Sequence, residues 1–154
     1  MVGVFSCVTL CSPVSTEKSR HLTLRIAETA VAELDRAASA RGLSRSELAE
    51  RYLIEGAIQD EFPHIGFRDG ALGRRAILLG TRLDVWQVLE TVRNHGNSVE
   101  QAAEYLDLPP ERLRVAVRYA AAHRAEVEEI AAREADAAAR AEALWRAEQD
   151  LLAS

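Results

Sequence analysis

The side chains able to do covalent or metal chemistry are few and poorly placed for it. Cys7 and Cys11 are the two cysteines, four residues apart, and His21 is too distant to complete a ligand set with them. His21, His64, His95 and His123 are scattered without ligand spacing, and no glycine-rich phosphate loop follows a strand. These observations argue against an enzyme, a metal site and a cofactor. The cysteines are expected to be free thiols in a reducing cytoplasm. What the chain does offer is directional hydrogen bonding from alternate positions in HLTLRI, where His21, Thr23 and Arg25 are polar while Leu22, Leu24 and Ile26 are apolar.

A period of two marks a strand with one buried and one wet face. After it the period changes, with Val31, Leu34 and Ala38 at helical spacing and Gly42 as a C-terminal cap. Ser44 with Glu47 three residues on fits a capping box for a second helix, whose apolar stripe runs through Leu48, Ala49, Tyr52, Leu53, Gly56 and Ala57. One strand before two helices leaves both strand edges without hydrogen-bond partners. A second copy paired antiparallel would repair this. Leu22, Leu24, Ile26, Leu34, Leu48 and Tyr52 would then form a shared core. His21, Thr23 and Arg25 would stand outside on a two-stranded ribbon, a shape that fits the major groove of DNA.

HLTLRI, the join LDRAASARGLSRSEL and the stripe after it resemble the ribbon-helix-helix family of DNA-binding proteins, the Arc/MetJ class, over about a third of the chain. The resemblance implies that His21, Thr23 and Arg25 touch bases, with Arg25 able to make a bidentate contact to guanine. It also implies that Ser44, Arg45 and Ser46 grip a phosphate at the start of the second helix. The plainer alternative makes His21 and Arg25 solvated residues on the outer face of a dimer strand.

The chain has 154 residues, enough for one or two small domains, and a formal net charge of −5, which argues against bulk electrostatic attraction to nucleic acid. Residues 1–60 carry 7 basic and 8 acidic groups, 61–100 carry 5 of each, and 101–154 carry 7 and 11, so the acid gathers in the last third. Residues 1–19 read as a disordered leader, or as lying upstream of the true start. Their apolar run is too short to span a bilayer, and no transmembrane segment is expected.

Pro63 and Gly66 close the ribbon-helix-helix stretch, 20–61. Asp69-Gly70 and Gly73 are turn signals within a hairpin over about 67–79. A helix follows with Val85, Val88, Leu89 and Val92 on one face. Ser98 with Gln101 starts another, and Pro110 suits the first position of a third. Two short helices joined by a tight turn look like a helix-turn-helix. GRRAILLGTRLDVWQVLE followed by NSVEQAAEYLDLPPERLRVAVRYA resembles a small uncharacterised bacterial domain marked by a Gly-Thr-Arg-Ile/Leu turn, here Gly80-Thr81-Arg82-Leu83. That domain is typical of antitoxins of type II toxin–antitoxin pairs, whose toxins resemble PIN-domain ribonucleases. Arg112, Arg114 and Arg118 stand where a recognition helix would present side chains to DNA. They equally suit the solvated face of a helix that packs through Leu113, Val117 and Ala121. Arg82 is expected to order its turn.

From Glu111 to about Leu151 there is neither Gly nor Pro, which predicts one helix of roughly 40 residues, about 60 Å long. Val127, Ile130, Leu144 and Trp145 on it are candidate partner-binding residues. The expected protein is mainly α: a ribbon-helix-helix at 20–61, a hairpin plus helix-turn-helix at 62–125, and a helical extension at 126–154. The expected function is a cytoplasmic DNA-binding antitoxin, homodimeric or a higher even oligomer. It would repress its own operon by binding operator DNA and neutralise a PIN-like ribonuclease toxin. The alternative is a stand-alone repressor whose C-terminal part oligomerises or senses a signal; a third is an adaptor without DNA activity.

Overall fold

A computed structural model of the chain describes residues 22–153; His21 and the residues before it lie outside that range. The architecture is mainly helical with one two-stranded antiparallel sheet. Helix α1 spans Glu28–Arg41 and stops at Gly42, whose φ of 65° is the left-handed conformation that glycine adopts without a steric penalty. Helix α2, Arg45–Glu61, begins with the capping box read from Ser44 and Glu47 and ends at Phe62, just ahead of Pro63. Ala38 and Leu48 are buried between these two helices, with Val31 and Leu34 half-covered.

Strands β1, Ile65–Gly70, and β2, Gly73–Leu78, form a hairpin around Ala71 and Leu72. It begins two residues earlier than the turn signals suggest, because Ile65 pairs with Leu78. The pairs Ile65–Leu78 and Phe67–Ala76 lie on one face of the hairpin, and Arg68–Arg75 on the other, as strand alternation requires. Helix α3, Val85–Asn94, buries Val85, Val88 and Val92. Helices α4, Val99–Leu106, and α5, Pro110–Ala122, make the expected pair, joined through Asp107 in the left-handed region (φ 53°). Ser98 accepts a hydrogen bond from the Gln101 N–H at 3.2 Å, one half of the anticipated capping box.

The single rod expected after Glu111 is two helices. Helix α5 ends at His123 (φ −115°, ψ 40°), and α6 runs separately over Arg124–Leu152, about 44 Å at 1.5 Å per residue. No breaker residue causes this; tertiary packing does. The His123 ring stacks on Tyr119 at 4.4 Å, Phe62 meets Tyr119 edge-on at 5.5 Å, and the Tyr119 hydroxyl donates to Glu126 at 3.2 Å. Burial and the neighbouring carboxylate push the Tyr119 phenol well above its ordinary range, so it stays a neutral donor. The turn lets Val127 enter the core beside α3 and α5.

The core gathers Phe62, Ile65 and Leu78 from α2's end and the hairpin, the valines of α3, Ala102 and Ala103 of α4, and Val127. Helix α5 contributes Leu113, Val115, Ala116, Tyr119 and Ala120; Val117 is only half-buried and Ala121 is exposed, so its packing face differs from the one expected. The helix is covered on two sides, by α3 and α4 and by the hairpin, which a single-stripe reading misses. Leu113 is fully buried, so Leu113→Ala should cost about 2–5 kcal/mol, measured as a loss of unfolding free energy in urea. A loss under about 1 kcal/mol would place Leu113 outside the core.

Candidate nucleic-acid and partner surfaces

Thr23 and Arg25 lie in Leu22–Ala27, which forms neither helix nor strand in the single chain. All six residues are exposed, Leu24 at 55%. The apolar side chains Leu22, Leu24 and Ile26 therefore have no cover of their own. On α2 the expected stripe is bare in the same way, since Tyr52, Leu53, Gly56 and Ala57 are exposed while only Leu48 is buried. The side of α2 that meets the rest of the chain is another, carrying Arg51, Glu55 and Ile58, none of them exposed. Of the expected shared core, Leu34 and Leu48 are covered within the chain, and Leu22, Leu24, Ile26 and Tyr52 are not.

The start of α2 is more committed than expected. Ser44 Oγ accepts from the Glu47 N–H at 3.2 Å, and Glu47 accepts from the Ser44 N–H at 2.8 Å. Hydrogen bonding by the Ser44 hydroxyl, then its N–H, holds the Glu47 carboxyl below the usual range, so an acid already sits where a phosphate would. Arg45 is turned back onto α1, donating through Nε and Nη2 to Asp35 at 2.5 and 2.7 Å. That hydrogen bonding lowers the Asp35 pKa. Ser46 is exposed. As arranged, the helix start offers an anion Ser46 and the outer side of Ser44, without the Arg45 guanidinium.

The helix-turn-helix does not assemble a basic surface. Arg112 donates to the Leu79 carbonyl and ties α5 to the turn after β2; its Nη2 would lie 3.3 Å from a Cβ built on Gly80. Arg114 pairs with Glu100. Arg118 is exposed and makes no ion pair with the described residues. Around the turn the exposed residues include Glu100, Glu104, Asp107 and Glu111. Two of the three arginines thus have internal duties, and the solvated-face reading describes this helix better. In the Gly-Thr-Arg turn it is Thr81 that orders the backbone, donating to the Leu78 carbonyl at 2.7 Å and accepting from the Leu83 N–H at 3.1 Å. The Arg82 side chain is exposed, and its carbonyl accepts from Arg68.

On α6 the four expected partner-binding residues separate. Val127 is buried in the chain's own core and so is not available to a partner, while Ile130 is half-covered. Leu144 and Trp145 are free, Trp145 at 58% exposure, and Leu151 and Leu152 extend the bare region toward the end of the helix.

The charged cluster at Asp84 was not legible in advance. Asp84 is the buried charged residue of the described chain. Its carboxylate accepts from Arg68 at 2.6 Å and faces Arg75 Nε at 3.1 Å. Arg75 also pairs with Glu134 of α6. One residue earlier, Arg74 points to the opposite face of β2 and holds Glu55 of α2 together with Asp69. The one local signal was an Asp directly ahead of the helical run at Val85, the position of an N-cap. Here the Asp84 N–H donates to the Gln87 side chain at 2.9 Å, and the carboxylate meets the two arginines.

Comparison with family models, curated proteins and solved structures finds no match to this chain. Among the described residues no group of three His, Cys, Asp or Glu is placed to hold a metal, and no helix is long and apolar enough to cross a membrane. Removing one member of a buried ion pair leaves the other charges unpaired, so Asp84→Ala should cost about 3–5 kcal/mol. Asp69→Ala, which removes an exposed carboxylate, should cost about 1 kcal/mol or less. Equal losses in urea titrations would show that Asp84 is not the clamp described.

Proposed function

We propose that the protein is a DNA-binding antitoxin of a type II toxin–antitoxin pair, which represses its own operon and restrains a ribonuclease toxin of the PIN-like kind. The carrying observation is the alternation at 22–26 together with the bare apolar faces of that segment and of α2. Two chains paired antiparallel through Leu22, Leu24 and Ile26 would cover those faces and bring Thr23 and Arg25 of both copies onto one ribbon. The chain's acidity confines DNA contact to such a local surface, and the internal commitments of Arg112 and Arg114 favour the ribbon over the helix-turn-helix as the reading head. The distal part of α6, with Leu144 and Trp145 bare, supplies the grip for the toxin. The action is set in the cytoplasm, where both operator and transcript reside.

A stand-alone repressor is the competing reading, and one pair of variants separates the outcomes. Thr23→Ala with Arg25→Ala should leave the dimer intact and lose about 1–3 kcal/mol of discrimination for operator DNA in a gel-shift titration. Unchanged binding would remove the ribbon as reading head. Deleting residues 140–154 keeps Val127, Ile130 and Glu134, and therefore the body, and should abolish co-purification with the product of the neighbouring gene. Undiminished capture would favour the plain repressor.

A further inference from the structure

Helix α6 has one packing face that runs out of body to pack on. Val127 fills the core, Ile130 and Glu134 are half-covered, and Trp145 lies eighteen residues beyond Val127, about five turns at 3.6 residues per turn. Trp145 therefore lies on the same line along the helix as Val127, and Leu152 close to it. The buried stripe continues as a bare one.

Beside this face, α3 and α6 enclose an open groove of about 440 Å³. Trp86 and Leu89 line it on α3, and its α6 side includes the small residues Ala131, Ala135 and Ala138. Small residues there allow a second helix to approach closely. Glu90, Glu128 and Glu134 also line the groove, against Arg93 alone. Arg93 reaches Glu128 at 3.8 Å and Glu134 is held by Arg75, which leaves Glu90 unpaired among the described residues. The groove is thus apolar at the base and acidic at the rim.

We infer that this groove is the docking site for Trp145 and Arg146 of a second copy of the chain. The segment has the matching chemistry: a large apolar side chain without cover, Trp145, followed by an arginine that among the described residues pairs with the exposed Glu142 one turn back. It cannot reach its own groove, because Ala135 and Trp145 are ten residues apart on one helix, about 15 Å. Each chain carries both the groove and the segment, so the contact is reciprocal about a two-fold axis. Reciprocity along two neighbouring helices sets them antiparallel: Ala135 faces the neighbour's Trp145, Ala131 faces its Gln149, and Arg146 comes to the rim formed by Glu90 and Glu134. This interface is separate from the ribbon and does not rest on the DNA or toxin reading. In the proposed complex, toxin and second copy would compete for Trp145.

The test is disulfide trapping in the full chain with Cys7→Ser and Cys11→Ser. Ala131→Cys with Gln149→Cys keeps Trp145 in place, and Ala135→Cys with Trp145→Cys probes the anchor itself. Neither pair can close within one straight helix, because a disulfide needs Cα atoms within about 7 Å. Under mild oxidation the first pair should give covalent dimers, while Ala131→Cys or Gln149→Cys alone should give few. Ala135→Arg, which fills the groove, should weaken by at least tenfold the association step that sedimentation equilibrium resolves beyond ribbon pairing. Glu90→Arg or Arg146→Glu should each weaken it, and their combination should restore it. No trapped dimer from either pair, or equal trapping by the single-cysteine variants, would overturn the inference. So would an Ala135→Arg protein that self-associates as the parent does.

Discussion

The buried carboxylate of Asp84 is the joint on which the folded body depends. A lone carboxylate at that depth would cost several kcal/mol, and it is tolerable only because Arg68 and Arg75 reach it from adjacent strands. Arg75 then carries the connection to Glu134, and its neighbour Arg74, on the other face of β2, carries it to Glu55. One strand thereby fastens α2, α3 and α6 to each other. The apolar core beneath supplies most of the stabilisation, and the ion pairs fix which helix lies against which strand.

Outside this body the chain is unfinished. Helices α1 and α2 meet the rest through Phe62, Ile58 and the Glu55–Arg74 pair, while Leu22, Leu24, Ile26, Tyr52 and Leu53 face water. Fully burying a Leu or Ile side chain contributes about 1.5–3 kcal/mol, so covering the first three, each more than half exposed, offers a driving force of a few kcal/mol. The backbone of 22–27 has no ladder partner among the described residues, and helices alone cannot supply one. The proposed self-association would answer both demands at once. The same logic applies at the far end, where the α6 stripe outruns its body.

Hydrophobic periodicity made most elements readable beforehand. The caps at Gly42 and Ser44, the start of α5 at Pro110 and the valine face of α3 lie where their spacing predicts. The break at His123 was not readable, because it arises from stacking on Tyr119 and the pull of Val127 into the core, and neither leaves a local mark. The same break explains why Val127 and Ile130 looked like partner-binding residues: a rod with no turn has nothing to pack on. Ion pairing is equally silent in sequence. Arg45, Arg112 and Arg114 read as free cations, yet Asp35, the Leu79 carbonyl and Glu100 hold them. Asp84 and Glu134 lie fifty residues apart and meet only through Arg75.

The central claim is that residues 22–26 are completed by a second chain, and amide hydrogen exchange across that segment tests it most directly. In an antiparallel two-stranded ribbon only alternate residues turn their N–H groups toward the partner. Protection should therefore alternate along Leu22–Ile26 and should rise with protein concentration. Exchange of all five amides at the rate of an unstructured chain, at every concentration at which α3 and α5 stay protected, would contradict the account.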